Sequence, residues 1–219
     1  MIRAEFWGDM AVFSRPELKV ERVSYDVITP SAARGMLEAI YFHPGMRYFI
    51  DKIYVCSPIA FTSVRRNEVK SKILASEVRR AYQGANNPMF LDTPQDIQQR
   101  ATTALKNVRY VIEAHFAMTD KANPSDNPGK FQDILKRRLR KGQCYTTPYL
   151  GCREFPAQFG PCEEIPPCPP ELLGEKDLGF MLWDLDYTDP QNIQPLFFRA
   201  KLNNGILCVP ERNSGEVYG

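Results

Sequence analysis

Histidine is scarce in this 219-residue chain, which carries only His43 and His115. Neither lies near a cysteine cluster, and the six cysteines (Cys56, Cys144, Cys152, Cys162, Cys168, Cys208) contain no C-x-x-C pair. Those spacings argue against a zinc site and, in a cytosolic chain, for free thiols rather than disulfides. The usual catalytic signatures are missing too: there is no G-x-S-x-G, H-E-x-x-H, Walker loop or G-x-G-x-x-G. With no dense carboxylate cluster either, metal-dependent hydrolysis is not expected, and no cofactor or metal is predicted. Long apolar runs are absent. Even the segment 48–61 is interrupted by Asp51 and Lys52, so a spanning helix is not expected. Glu5 and Asp9 fall where a signal peptide needs an unbroken apolar stretch, and the expectation is a cytoplasmic protein with no membrane partner.

What is present is a core and a segregated charge. Hydrophobic residues make up 43% and aromatics 11%, enough to exclude general disorder. The formal net charge of +2 hides two basic stretches. Residues 65–80 hold Arg65, Arg66, Lys70, Lys72, Arg79 and Arg80 against Glu68 and Glu77; residues 130–141 hold Lys130, Lys136, Arg137, Arg138, Arg140 and Lys141 against Asp133. Residues 163–190 invert the balance, with eight acids and only Lys176. Such segregation fits a polyanion on one part of the molecule and acidic protein surface on another, although two solvated faces give the same pattern.

Alternation over Ile2-Arg3-Ala4-Glu5-Phe6-Trp7 predicts a half-buried strand. Thr29-Pro30 opens a helix with a threonine cap and a proline at the first position. Ala33, Met36, Leu37, Ile40 and Tyr41 form its apolar face, and Pro44-Gly45 stops it. Strands are predicted over 47–56 and 59–65. Residues 67–101 read as a basic insertion: a short helical pattern, a break at Gly84-Ala85-Asn86-Asn87-Pro88, and a polar helical stretch from Thr93. A strand follows near 104–118, with Val108, Tyr110, Ile112, Ala114 and Phe116 on one face. A second helix begins at Asn127-Pro128, buries Phe131, Ile134, Leu135 and Leu139, and ends at Gly142. Six of the 18 prolines fall between 156 and 170, after which strand signals resume at 178–186 and 196–209, folded back at Asn203-Asn204-Gly205. The expected fold is α+β. A ferredoxin-like (RNA-recognition-type) domain over 1–155 is followed by a small antiparallel β-sheet domain over 156–219.

If the chain is an enzyme, its reaction needs little apparatus. Cleavage of RNA by its own 2′-hydroxyl qualifies, since the protein need only orient the attack, move protons and stabilise phosphate charge. Lys130 stands in the first turn of the second helix, where backbone N–H groups and an ammonium suit a phosphate; read alone, an exposed lysine of no consequence is the simpler description. Tyr41 continues an apolar face and reads as core, yet in the last turn its hydroxyl can reach a cleft. His43, two residues on, faces another direction on helical geometry and reads as a surface residue or an aid to proton transfer. His115 reads as an exposed sheet residue able to touch RNA.

Phe6-Trp7-Gly8-Asp9, Ser24-Tyr25, Glu38-Ala39-Ile40-Tyr41, Glu113-Ala114-His115-Phe116, Asn127-Pro128-Gly129-Lys130 and Tyr149-Leu150-Gly151-Cys152-Arg153-Glu154 occur in one order. Together they resemble the subtype-d branch of the Cas-five family, the CRISPR-associated endoribonucleases of type I-C systems, over essentially the whole chain. The resemblance implies metal-independent cutting of precursor CRISPR RNA in the repeat hairpin, leaving a 2′,3′-cyclic phosphate. It also implies retention on the 5′ handle, beside Cas-seven backbone and Cas-eight large subunits. Its active-site tyrosine and lysine correspond to Tyr41 and Lys130, with His43 and His115 as possible accessories. Arg34, Lys136, Arg137, Arg140 and Lys141 are the expected RNA contacts. Some members carry a histidine directly after the lysine; this chain has Phe131. Alternatives are a non-catalytic subunit holding the 5′ handle and a module that binds double-stranded DNA.

Overall fold

Alternating burial builds most of the structure. The computed structural model describes residues 1–18, 21–85 and 89–219. In it β1 (Ile2–Ala11) buries Ile2, Ala4 and Phe6 and turns Arg3 outward. A two-residue β2 (Arg22–Val23) precedes α1 (Pro30–Ile40), where the Thr29 hydroxyl accepts the Ala32 N–H at 3.2 Å and Ala33, Met36, Leu37 and Ile40 are buried. There follow β3 (Met46–Val55), β4 (Phe61–Val69), the exposed α2 (Ala75–Tyr82), β5 (Ile97–Met118) and α3 (Pro128–Lys141). The chain closes with β6 (Gln158–Pro161), a single 3₁₀ turn at Pro170–Leu172, β7 (Glu175–Asp186), β8 (Gln194–Asn203), β9 (Ile206–Cys208) and β10 (Val217–Tyr218).

Ten strands form one mixed α/β architecture around a large sheet ordered β10-β8-β9-β3-β5-β1-β6, with β2 and β4 also on β5 and β7 on β8. Every pairing is antiparallel except β2 with β5. The strands after residue 156 are hydrogen-bonded into this sheet through β6 on β1 and β9 on β3. On β5, Val108, Tyr110, Ile112 and Ala114 are buried on one face, as their alternation predicts. Glu113, also buried, is neutralised by the half-exposed Arg3 at 2.8 Å and approached by the half-exposed Lys52 at 3.8 Å, so one ion cluster ties β1, β5 and β3 together at the sheet surface.

The insertion departs from expectation. The polar stretch from Thr93 is a turn followed by the start of β5, because Ile97–Leu105 pairs with β4 residue for residue. A partner strand satisfies that backbone although its own residues lack alternation. The short helical pattern is α2; Asn86, Asn87 and Pro88 lie outside the described residues.

Tight packing joins the loop after α3 to β1. Leu150 C=O accepts the Val12 N–H at 3.0 Å, and Gly151 sits at φ +86°, where a Cβ would stand 1.9 Å from the Val12 carbonyl oxygen. Gly151→Ala is expected to cost at least about 1–3 kcal/mol, read as a lowered midpoint in denaturant unfolding; an unchanged midpoint defeats this account.

Candidate active site

The start of α3 is built by local chemistry. Asn127 Oδ1 accepts the Lys130 N–H at 2.9 Å and Pro128 has no N–H to satisfy. The helix-start amides expected to form a phosphate pocket are thus largely used up, and Gly129 N–H alone stays unpartnered in the first turn among the described residues. The charge at this end sits on side chains instead. Lys130 Nζ lies 2.8 Å from Asp126 Oδ1; the lysine side chain is 45% exposed and the aspartate side chain 2%. Asp126 also accepts the backbone N–H of Asn123 at 2.9 Å. The hydrogen bond from Lys130, then that N–H, hold the Asp126 carboxyl below the usual carboxylate range. The same hydrogen bond, reinforced by the Asp126 and Tyr41 charges, raises Lys130 above the ordinary lysine value.

Tyr41 reaches this point from α1. Its backbone is extended (φ −148°, ψ 113°), so it caps the helix instead of lying in its last turn. Its carbonyl accepts the Tyr48 hydroxyl at 2.8 Å, and its ring packs 6.1 Å from Phe131 with the Arg138 guanidinium 5.0 Å from its centroid. The residue is 7% exposed. Its hydroxyl has no hydrogen-bond partner among the described residues, and only Arg34 Nε and Arg100 Nε there are sealed polar atoms without one. The phenol is largely buried, and its hydroxyl is not among those sealed, unpartnered atoms. Burial pushes its pKa up, against the lowering pull of Arg138 and Lys130.

His43 does not face another direction. Past the helix the chain is no longer helical, and its ring lies 4.8 Å from the Phe131 ring that Tyr41 also touches. Helical geometry was the wrong ruler here, since residues two apart share a side in extended backbone. His43 Nδ1 accepts the Gly45 N–H at 3.0 Å, which leaves the proton on Nε2, 3.8 Å from Asp126 Oδ2. Phe131, fully buried, floors the group.

Lys130, Tyr41 and His43 thus converge with two residues that the sequence reading missed as site members, Asp126 and Arg138. Asp126 stands four residues before Lys130 and ahead of the cap, outside any helical pattern. Arg138 was visible only as part of a basic run, yet it folds inward to bond Ile40 C=O at 2.5 Å. Lys136, Arg137, Arg140 and Lys141 are exposed on α3, with Arg137 and Lys141 on the same stripe as Lys130. Arg34 and His115 are elsewhere: Arg34 pairs with Asp184 at 2.8 Å and His115 with Asp51 at 2.7 Å. All six cysteines are free, and no group of three or more potential metal ligands converges among the described residues. No helix there is long and apolar enough to cross a membrane.

Residues 1–210 match the Cas5d family model, described as CRISPR-associated protein (Cas_Cas5). The chain is 50% identical to the CRISPR pre-crRNA endoribonuclease Cas5d of Mannheimia succiniciproducens over 99% of its length and 97% of that protein's. It is 39% identical to the protein of the same name from Thermus thermophilus, over 99% and 94%. A crystal structure of a CRISPR-associated protein superposes with a TM-score of 0.70 at 21% identity, covering 100% of this chain and 96% of that one, and so does SMU1763c, a functionally uncharacterized protein from Streptococcus mutans. The two superpositions establish likeness of fold.

The Lys130–Asp126 pair has a definite pH signature. Its contribution through Lys130 is intact below 10.5 and fades as pH climbs through the raised value; through Asp126 it is intact above 3.8 and fades as pH falls through the lowered one. Asp126→Asn is expected to bring the Lys130 pKa down toward 10.5, followed by NMR titration of the lysine ammonium; an unmoved value removes Asp126 from the site.

Proposed function

The chain belongs to the Cas5d family of CRISPR-associated proteins, and from that premise we propose that it cuts precursor CRISPR RNA within the repeat hairpin where Tyr41 approaches Lys130. The observation that carries this reading is the approach, beside the buried Phe131 ring, of a largely buried phenol to a half-exposed ammonium. The fold reading extends the same way. The sheet order β3-β5-β1-β6, with α1 and α3 in the strand–helix–strand–strand–helix–strand sequence, supports a ferredoxin-like arrangement. We take residues 1–155, completed by β6, as the RNA-processing part and the rest of 156–219 as a β-sheet part stitched on through β9 on β3.

The 2′-hydroxyl oxygen attacks the adjacent phosphorus and the bond to the 5′-oxygen breaks, leaving a 2′,3′-cyclic phosphate and a 5′-hydroxyl end. Lys130, held as an ammonium, balances charge building on the phosphate oxygens. Tyr41 keeps its proton at neutral pH and donates a hydrogen bond to the phosphate or the departing oxygen; a tyrosine acting as base needs its pKa moved the other way. His43 Nδ1 is committed to Gly45 N–H, so the 2′ proton leaves to solvent and the departing 5′-oxygen takes its proton from solvent in turn. No step uses a metal.

Lys136, Arg137, Arg140 and Lys141 grip the hairpin backbone with a salt-dependent hold. After cleavage the protein stays on the 5′ handle in the cytoplasm as a subunit of the surveillance complex, next to Cas-seven-type and Cas-eight-type subunits. The exposed basic surface also suits double-stranded DNA. Burial of the apolar Phe131 directly after Lys130, the position where the resemblance implies a histidine in some members, favours a second reading, a handle-binding subunit without catalysis, and one experiment separates the two. With chelator present, Lys130→Ala is expected to slow single-turnover cleavage by about 10²–10³-fold or more while hairpin affinity stays within a few-fold. Unimpaired cleavage overturns the assignment, and inert wild-type protein selects the second reading.

The proton route predicts its own pH profile. Cleavage should accelerate by about tenfold per pH unit across the neutral range, with no optimum near 7. A bell centred on neutrality requires a side-chain base and defeats this route.

A further inference from the structure

A second aromatic group lies on the sheet face opposite Phe131. Side chains alternate along β5, and Phe116 packs on Phe131 at 6.4 Å, so its neighbour His115 leaves the other face. Across the strand pair His115 opposes Phe49, and the two rings stack at 5.2 Å with an interplanar angle of 13°. The Arg47 guanidinium stands 5.7 Å from the Phe49 centroid. His115 Nδ1 is tied to Asp51 Oδ1 at 2.7 Å, which sets the ring's orientation. Phe49 is 38% exposed and the His115 side chain 54%, a flat apolar stack left facing water.

This stack forms one wall of a cleft of about 400 Å³. The cleft opens beside the length of β3 that β9 leaves unpaired, since β9 covers only Lys52–Tyr54. Trp183 and Asp184 of β7 and Arg212 from the segment after β9 form the facing wall, and Arg34 of α1 enters between them. The Trp183 indole donates to Pro210 C=O at 2.9 Å, fixing that wall. Arg34 Nη2 is bound to Asp184 at 2.8 Å, but its Nε is buried and unpartnered.

The chemistry selects the occupant. A phosphate calls for cations alone, and here Arg34, Arg47 and Arg212 are matched by Asp51, Asp184 and Glu211. Both signs along the edges of a slot with a flat aromatic stack fit a planar heterocycle that carries donors and acceptors on its rim. A nucleobase has that form: its face stacks on aromatic rings whatever its identity, and its edge pairs with carboxylates and guanidiniums. The volume lies within the usual range for small-molecule sites. Arg34 and Tyr41 are seven residues apart in sequence, roughly 10 Å at a helical rise, so the Arg34 side of the slot is set apart from the Tyr41 side chain along α1.

We propose that this slot binds one unpaired nucleobase of the RNA, stacked against the Phe49–His115 pair. The proposal rests on the RNA-processing reading for its ligand and on separate residues for its evidence. It assigns roles to Arg34 and His115 that the cleft at Lys130 does not use.

The test is a fluorescence titration of the full-length protein with a single-stranded hexaribonucleotide carrying one 2-aminopurine and no hairpin. Wild type should quench the fluorophore as it stacks. Phe49→Ala should lose the quench and weaken binding by about tenfold or more, with Phe49→Tyr restoring both and thermal midpoints confirming that the variants fold. If Phe49→Ala does not fold, His115→Ala on the more exposed partner ring takes its place with the same expected loss. Absence of quench in wild type, or wild-type quench in the folded alanine variant, overturns the proposal. Lys130→Ala should keep the quench, so a failure of the nuclease reading shows as altered cleavage and a failure of the base slot as altered fluorescence.

Discussion

One aromatic ring holds the candidate active site together. Phe131 enters the core from the first turn of α3 and touches Tyr41, His43 and Phe116 at once. α1 and α3 come from distant parts of the chain, and this buried ring sets the end of one against the start of the other. Lys130 and Tyr41 become neighbours because Phe131 is full size and fully enclosed. Directly after Lys130 this chain has an apolar wedge, and His43 leans on that wedge from the other side.

Electrostatics then decides what the cleft can do. A lysine at a helix start is disfavoured by the helix dipole, and Asp126, tucked just before the cap, offsets that cost. Because the lysine head is about half exposed, the pair is solvent-screened and weak in net terms, so a substrate phosphate can compete for the ammonium. Arg138 is held more firmly, bonded to Ile40 C=O and stacked on Tyr41. It raises the positive potential near the phenol while staying in the wall. Both candidate groups remain protonated at neutral pH, which suits charge stabilisation and excludes either as the resting base.

The long strand β5 makes a second site accessible on the same scaffold. Its first half pairs with β4 as a polar ribbon, and its second half lies between β1 and β3 in the core. Alternation sends Phe116 toward the helices and His115 to the open face, so one strand serves both the cleft at Lys130 and the aromatic slot.

Local pattern was legible wherever a residue's partner lay within a few positions. The Thr29 and Asn127 caps, the prolines after them, the Gly142 stop and the alternation of β1 and β5 all reappear, because hydrogen bonds and side-chain period act over one turn or one pleat. Lys130 at a helix start and Tyr41 at a helix end were readable on the same grounds, and so was the exposure of Lys136, Arg137, Arg140 and Lys141. Tertiary structure decided the rest. That His43 turns back onto Phe131, that Gln98–Arg100 form a strand against β4, and that Arg34 and His115 sit away from Lys130 all depend on atoms far apart in sequence. No local period encodes such contacts; they form only when segments distant in sequence pack against one another.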